Sequence, residues 1–491
     1  MRIGDILVAS GIITQSGIER ALDRQKEEGG RLGDNLIALG LITEQQLESI
    51  LHELPQPPRT LAETGISESE LMALLIKLIY TRNLDTPSRI ADEMMLSPRL
   101  VNALLAEAEK RQLVEVLGAS DTGSMLSELR YSLSQAGRRR AAEALEMNQY
   151  VGPAPVSLPA YHSRILRQRI TNERIGREVV EEAFADLSIP PDFVQRLGPG
   201  INSGRAILLY GPPGNGKTSI AERIGRIFND IIYIPYCVEV EGQLIKVFDP
   251  NLHEIVPKMQ SERSGAIRRE EIDRRWVPCQ RPIVITGGEL TLEMLDLQFN
   301  PQARFYEAPL HVKALGGTFI IDDFGRQLVQ PEQLLNRWIV PMQSRVDFLK
   351  LHTGKSFSLP FDELLIFSTN MDPQDLMDPA FLRRIPYKLE TTAPSTELYY
   401  EIFRGVAESE KLELTDDVFR YVLDRLGTDG ERTLACYQPR FIVDQVIAAC
   451  KYENVPPEFS IERVGIALDN LYTKRSRSTH PSPHKVAGRS A

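Results

Sequence analysis

A glycine-rich run, Gly211-Pro212-Pro213-Gly214-Asn215-Gly216-Lys217-Thr218-Ser219, follows the short apolar stretch Ala206–Tyr210 and precedes a helical pattern. Those residue types at that spacing suit the binding of a phosphate chain. The glycines let backbone N–H groups wrap phosphate oxygens, and the start of the next helix adds partial positive charge. Lys217 is placed to reach the β- and γ-phosphates of a nucleoside triphosphate, and the Thr218 hydroxyl to ligate Mg2+. A chance glycine turn is a poor competitor once strand, loop and helix occur in this order.

A triphosphate site also needs a metal-binding group from another strand. The segment "GGTFIIDDFGR" offers one, because the apolar run Thr318–Ile321 reads as a buried strand delivering Asp322 to the sheet edge. Asp322 is expected to hold Mg2+ through water. Asp323 stands where a base would orient the attacking water. A further apolar run, "LLIFSTN", ends in Ser368, Thr369 and Asn370, and the Asn370 amide could fix that water by hydrogen bonding.

Strands and helices must alternate to hold such groups on one edge. The sequence predicts that alternation from the proline-rich joint at 149–162 to about residue 390, as in a parallel α/β sheet. From 396 to 473 the pattern is helical only, and the tail from 476 to 491 is basic, polar and poor in apolar residues, which predicts disorder. Together these elements resemble an AAA+ ATPase over residues 161 to 473. "GPPGNGKT" matches its phosphate loop, "FIIDD" its metal strand and "STN" its first sensor. "DPAFLRRI" (378–385) resembles the segment that carries an arginine finger, and "QPRF" (438–441) the second sensor of a helical lid. The resemblance implies Arg384 as the finger, with Arg383 next, and Arg440 as the second sensor. It implies ATP and Mg2+ as cofactors and a homo-oligomeric ring, a hexamer by family habit, acting on a protein substrate. The family usually carries Asp-Glu where this chain has Asp322-Asp323. Asp is one methylene shorter, so slow hydrolysis or an ATP-held switch is expected.

Between phosphate loop and metal strand lies a long stretch, 231–315. "YCVEVEGQLIKVFDP" reads as a β-hairpin turning at Glu241-Gly242. "SERSGAIRREEIDRRW" reads as a solvated, charged arm. Phe305 and Tyr306 fall in an expected loop, where they either grip a substrate or simply pack.

Ahead of the core, residues 69–148 follow the order of a winged helix, α+β in class: three helices, a hairpin from "LVEVLG" and "LRYSLSQ", and a returning helix. Thr86-Pro87 and Ser97-Pro98 mark two helix starts. Ten Lys and Arg against eleven Asp and Glu between Ser69 and Met147 do not favour DNA, whose readers are usually basic. A docking or scaffold role is preferred; the Arg138-Arg139-Arg140 knot keeps phosphate contact open, and with it a DNA-bound regulator using ATP as a state switch.

The chain begins with a phrase spoken twice. "RIGDILVASGIITQSGIERALDRQ" (2–25) returns as "RLGDNLIALGLITEQQLESILHEL" (31–54) after the five-residue joint "KEEGG". Each unit predicts a short helix closed at Gly11 or Gly40, then a helix capped by Thr14 or Thr43. Either the pair is a helical hairpin made twice for packing, or it holds a ligand. Arg2 and Arg31 stand before the first helices, and Arg can grip or stack on guanine. The arms and their spacing resemble the cyclic di-GMP-binding N-terminal domain (MshEN type) of type II secretion and type IV pilus assembly ATPases. That resemblance implies cyclic di-GMP as a ligand held by Arg2, Gly4, Gln25, Arg31 and Gly33. The second arm ends at Leu54 where the family has Gln, so Leu54→Gln is expected to tighten binding.

The expected organisation is thus the repeat (1–54), a linker (55–68), the winged-helix-like module (69–148), a second linker (149–162), an α/β core (163–390), an α-helical lid (391–475) and the tail. A net charge of −10 argues weakly against coating nucleic acid. Four scattered cysteines without a C-x-x-C pair do not suggest a disulfide or metal framework. No stretch approaches the length of a membrane span, and a cytoplasmic setting without membrane insertion is expected.

Overall fold

The structure is a computed structural model, and it describes residues 7–8, 12–28, 32–43, 54–119, 128–185, 187, 189–256, 272–427 and 434–471. The chain divides into two compact units. The first comprises Met1–Ala183, Pro191–Tyr210 and Thr218–Glu390; the second comprises Phe184–Pro190, Gly211–Lys217 and Thr391–Ala491.

In the first unit, the repeat contributes α1 (Gln15–Glu28) and α2 (Leu32–Ala38). Thr14 caps α1, its Oγ1 accepting from Gly17 N at 3.3 Å. Gly40, at φ +66°, closes α2, and its N–H donates to Ile37 O at 2.8 Å. Leu54 is 6% exposed and belongs to one apolar cluster with Leu36, Tyr161 and Trp276. That corrects the expectation for Leu54→Gln: the substitution would bury an amide in an apolar site instead of offering it to a ligand, at a cost in stability.

The next module is α3 (Glu68–Arg82), α4 (Pro87–Met94), α5 (Pro98–Lys110), β1 (Val114–Ala119), β2 (Leu129–Leu133) and α6 (Gln135–Met147). Ser67 and Glu70 form a reciprocal capping box that starts α3, and Pro87 and Pro98 occupy first-turn positions. Leu75, Leu78, Ile90, Val101, Leu104 and Ala141 are buried together in its core. α6 packs so closely that a Cβ on Gly137 would lie 1.9 Å from Leu113 O.

From the second linker the chain adds β3 (Val156–Ser157) and α7 (Leu158–Arg167), then α8 (Arg177–Ala183), α9 (Pro191–Ser203), β4 (Ile207–Tyr210) and α10 (Lys217–Arg226). The strands that follow are β5 (Ile231–Pro235), β6 (Cys237–Val240), β7 (Gln243–Lys246), β8 (Trp276–Gln280), β9 (Ile283–Thr286), β10 (Gln298–Asn300) and β11 (Phe305–Glu307). After α11 (Leu310–Lys313) come β12 (Thr318–Ile321), α12 (Pro331–Ser344), β13 (Val346–Lys350), β14 (Ser356–Pro360), β15 (Leu364–Thr369), α13 (Pro373–Leu376), α14 (Pro379–Leu382) and β16 (Tyr387–Glu390).

Five of these strands form an all-parallel sheet, ordered β16-β4-β15-β12-β9. β12 and β15 are buried at every position, as expected of continuous apolar runs covered on both faces. The expected alternation does not persist through 231–315. The regular elements described there are mainly strands: β6, β7, β10 and β11 join β3 in a second, mixed sheet ordered β10-β11-β7-β6-β3, and β5 pairs with β8. The β6–β7 hairpin turns at Glu241 and Gly242 as read, with φ +53° and +77°. Both central residues are left-handed, which is the turn that matches strand twist.

The charged arm is also corrected, at its described end. Asp273 and Arg275 form a buried ion pair at 2.9 Å, with side chains 4% and 5% exposed. Arg275 further donates to Thr64 O and Pro155 O at 3.1 and 3.0 Å, and Asp273 N donates to Pro55 O at 2.9 Å. Both proline-rich linkers are therefore tied to the chain just before β8.

The second unit contains α15 (Thr396–Ser409), α16 (Asp416–Gly427), α17 (Gln438–Glu453) and α18 (Ile461–Leu471), packed around Tyr399, Phe403, Val422, Ile442, Val446 and Val464. No helix among the described residues is long and apolar enough to cross a membrane.

Candidate active site

At the carboxyl edge of the parallel sheet, Ile321 of β12 lies beside Phe367 of β15 and Thr286 of β9. Asp322 is the next residue, and its N–H donates to Thr286 O at 2.8 Å. Its Oδ2 accepts from the Thr218 hydroxyl at 2.7 Å. The two residues expected on a metal, far apart in sequence, are thus in contact. One hydroxyl and one carboxylate are hard oxygen donors, and they fit Mg2+, which keeps water and phosphate as its remaining ligands.

Asp323 adopts φ +48°, a left-handed conformation that Asp tolerates better than most residues. Its Oδ1 accepts from the Asn370 amide at 2.8 Å. The sensor amide therefore grips the expected base directly. The rest of the β15 end supports the same turn: Phe324 N donates to Ser368 O at 2.7 Å, and the Thr369 hydroxyl donates to Phe324 O at 2.8 Å.

In the second unit, the phosphate loop shows why its glycines are needed. A Cβ on Gly211 (φ +135°) would lie 2.2 Å from Thr391 O, and one on Gly214 (φ +83°) 2.3 Å from the Tyr437 ring. A Cβ on Gly216 would meet nothing within 4 Å, but its φ of +77° is one that residues with side chains rarely adopt. The buried Lys217 ammonium donates to Gly211 O and Pro212 O, each at 2.8 Å. The segment before α17 is bonded to the loop: Tyr437 N donates to Gly214 O at 3.0 Å, and Cys436 N donates to the buried Asn215 Oδ1 at 3.4 Å. Cys436 and Tyr437 were not legible as site residues, because a backbone N–H has no residue type. Pro212, Pro213, Thr218 and Ser219 present exposed side chains.

The three candidate arginines are placed differently. Arg440 is ion-paired with Asp444 at 2.9 Å and Glu410 at 3.0 Å, and those carboxylates raise its pKa, Asp444 first. Reaching a γ-phosphate would require it to exchange those partners. Arg383 Nε donates to Pro379 O at 3.2 Å and Arg384 Nη1 to Ala380 O at 2.7 Å, so each lies back on the carbonyls of its own short helix. Arg383 is exposed and Arg384 half-exposed.

Two further expectations meet the structure unevenly. Phe305 and Tyr306 are not in a loop; they form β11, with Tyr306 1% exposed and Phe305 edge-on to Tyr150 at 5.9 Å. They pack, and a substrate-gripping role for them is withdrawn. Of the residues implied for cyclic di-GMP, Gln25 and Gly33 are half-buried in α1 and α2. Arg2, Gly4 and Arg31 lie outside the described residues.

Over part of its length the chain is similar to known proteins. The chain is 28% identical over 186 residues to the proteasome-activating nucleotidase of Methanocaldococcus jannaschii, covering 36% of this chain and 40% of that protein. It is 45% identical over 192 residues to the vesicle-fusing ATPase of Caenorhabditis elegans, covering 36% of this chain and 22% of that one. The vesicular-fusion protein sec18 of Schizosaccharomyces pombe is 51% identical over 51 residues, or 10% of this chain and 6% of that one. The chain thus spans less than half the length of each of these relatives. Residues 395–470 match a family described as a domain of unknown function (DUF8689). Among solved structures, domain III of the Thermotoga maritima replication initiation protein DnaA aligns with 59% of this chain and 96% of that one, at 14% identity and a TM-score of 0.33. Two of these relatives are named as a nucleotidase and an ATPase.

Proposed function

We propose that the chain is a cyclic di-GMP-responsive AAA+ ATPase that works as a ring on a protein partner, in pilus, secretion or exopolysaccharide machinery. The observation that carries the ATPase reading is the pairing of Thr218 with Asp322 at 2.7 Å beside Asp323 held by Asn370 at 2.8 Å. Thr218 and Asp322 are the residues that would hold Mg2+, which neutralises phosphate charge when bound. Lys217 binds the phosphates. Asp323 accepts a proton from the attacking water, and the Asn370 amide orients that carboxylate. An arginine from a neighbouring copy, Arg384 before Arg383, stabilises charge developing on the transferred phosphoryl group.

The duplicated arms support the regulatory part, since two similar units can embrace a dinucleotide with two guanines and two phosphates. Binding and ATP state must then influence one another by the same factor. The test is the ATPase rate of the full chain with and without cyclic di-GMP, beside an Arg2→Ala, Arg31→Ala double variant. A change of about 5-fold or more in the wild type, absent in the double variant, is expected. An unchanged rate with no binding heat would reduce the repeat to a docking hairpin.

A further inference from the structure

The turn that carries Asp322 and Asp323 is held from two sides. Towards β15 it is held through Phe324 and Asp323, as described. Towards β9 it is held by the Asp322 N–H on Thr286 O and by one half-buried side chain, Gln327. The Gln327 Oε1 accepts from Gly325 N at 2.8 Å. Its Nε2 donates to Asp322 O at 3.1 Å, Gly287 O at 3.2 Å and Asp323 O at 3.4 Å. A carboxamide has two N–H donors and an acceptor on one flat group, so these three carbonyls share two hydrogens. Gly287 directly follows β9, and its own N–H donates to Glu289 Oε1 at 2.8 Å. One side chain therefore links the loop after β9 to the backbone of both acidic residues.

We propose that Gln327 is a positioning residue for hydrolysis: its carboxamide fixes the backbone of Asp322 and Asp323 so that the two carboxylates face metal and water correctly. This rests on the ATPase reading of that site. A displacement of about 1 Å can cost about 100-fold in rate. A short Asp base has less reach than Glu to absorb such a shift.

The test uses the full chain with Gln327→Met, which keeps shape but has no donor, and Gln327→Asn, which keeps the amide one methylene short. For Gln327→Met, kcat should fall about 10- to 100-fold, while the Kd of a fluorescent ATP analogue stays within about 3-fold. Gln327→Asn should lie between it and the wild type. Because Gln327 acts through Asp323, adding Gln327→Met to Asp323→Asn should cost far less than it costs the wild type. Wild-type kcat in Gln327→Met overturns the proposal, and so do losses that multiply fully in the double variant. If Gln327→Met fails to fold, a normally melting Gln327→Asn with unchanged kcat overturns it equally. Failure of the ATPase reading would look different: no turnover by the wild type, or undiminished turnover by Asp323→Asn.

Discussion

The parallel sheet β16-β4-β15-β12-β9 and the mixed sheet β10-β11-β7-β6-β3 lie in the same unit and differ in what their surroundings carry. The parallel sheet is apolar through its middle, and its chemistry begins one residue past its strands, at Asp322 and Asn370. The mixed sheet has charge near its buried joints. Lys77 of α3, 2% exposed, donates to Asn148 Oδ1 at 2.6 Å in the module that packs on Cys237. The Asp273–Arg275 pair ties both linkers to β8 beside it. On the proposed reading, one sheet presents groups to a ligand and the other joins modules. Substitutions at the first should therefore remove rate without stability, and at the second stability without a specific loss of rate.

The sharpest contrast should come from Arg384→Ala. An arginine finger is worth about 1,000-fold or more in turnover, so kcat should collapse while ATP binding and the melting midpoint stay near wild type. Mixing the variant with wild type should depress the rate below the sum of the two, if the arginine acts across copies. A fully active variant would dissolve the shared-site arrangement.

Arg275→Ala should do the reverse. Removing one partner of a buried pair leaves an uncompensated carboxylate, which costs about 3–5 kcal/mol. Denaturant melts should report that loss, while the folded fraction keeps its turnover per molecule. A stability change under about 1 kcal/mol would show that the joint is wetter than its 4% and 5% exposures indicate.

The smallest effect concerns pH. Burial lowers the Lys77 pKa to about 8, partly opposed by Cys237. The unfolded chain then binds more protons than the folded one between about pH 8 and the ordinary lysine value near 10.4, so this group makes stability rise with pH across that window and leaves it flat below. In paired melts from pH 7 to 10, the difference between wild type and Lys77→Met should move in favour of the wild type only above about pH 8. A difference that is constant with pH would mean that Lys77 stays charged when folded.

The same contrast explains what was legible in the sequence. Phosphate loop, metal strand and sensor strand could be read because each combines a buried apolar run with a residue type suited to one task. The hairpin at Glu241-Gly242 could be read from its turn residues. The mixed sheet as a whole could not, since its strands are two to four residues long and the β11–β7 and β3–β6 pairings that assemble it join residues far apart in sequence. Phe305 and Tyr306 were mistaken for a loop for that reason. Arg275 was mistaken for a solvated charge because its carbonyl partners, Thr64 and Pro155, have no signature. Gln327, Cys436 and Tyr437 carry no legible signal either: Gln327 bonds backbone carbonyls, and Cys436 and Tyr437 act through their own backbone N–H groups.

The central claim is that Asp323, held by Asn370, activates water for ATP hydrolysis beside Thr218 and Asp322. Steady-state turnover of Asp323→Asn at saturating Mg2+ and ATP tests it most directly. A fall of about 100-fold or more is expected, with ATP still bound and retained through gel filtration. Turnover at the wild-type rate would contradict it.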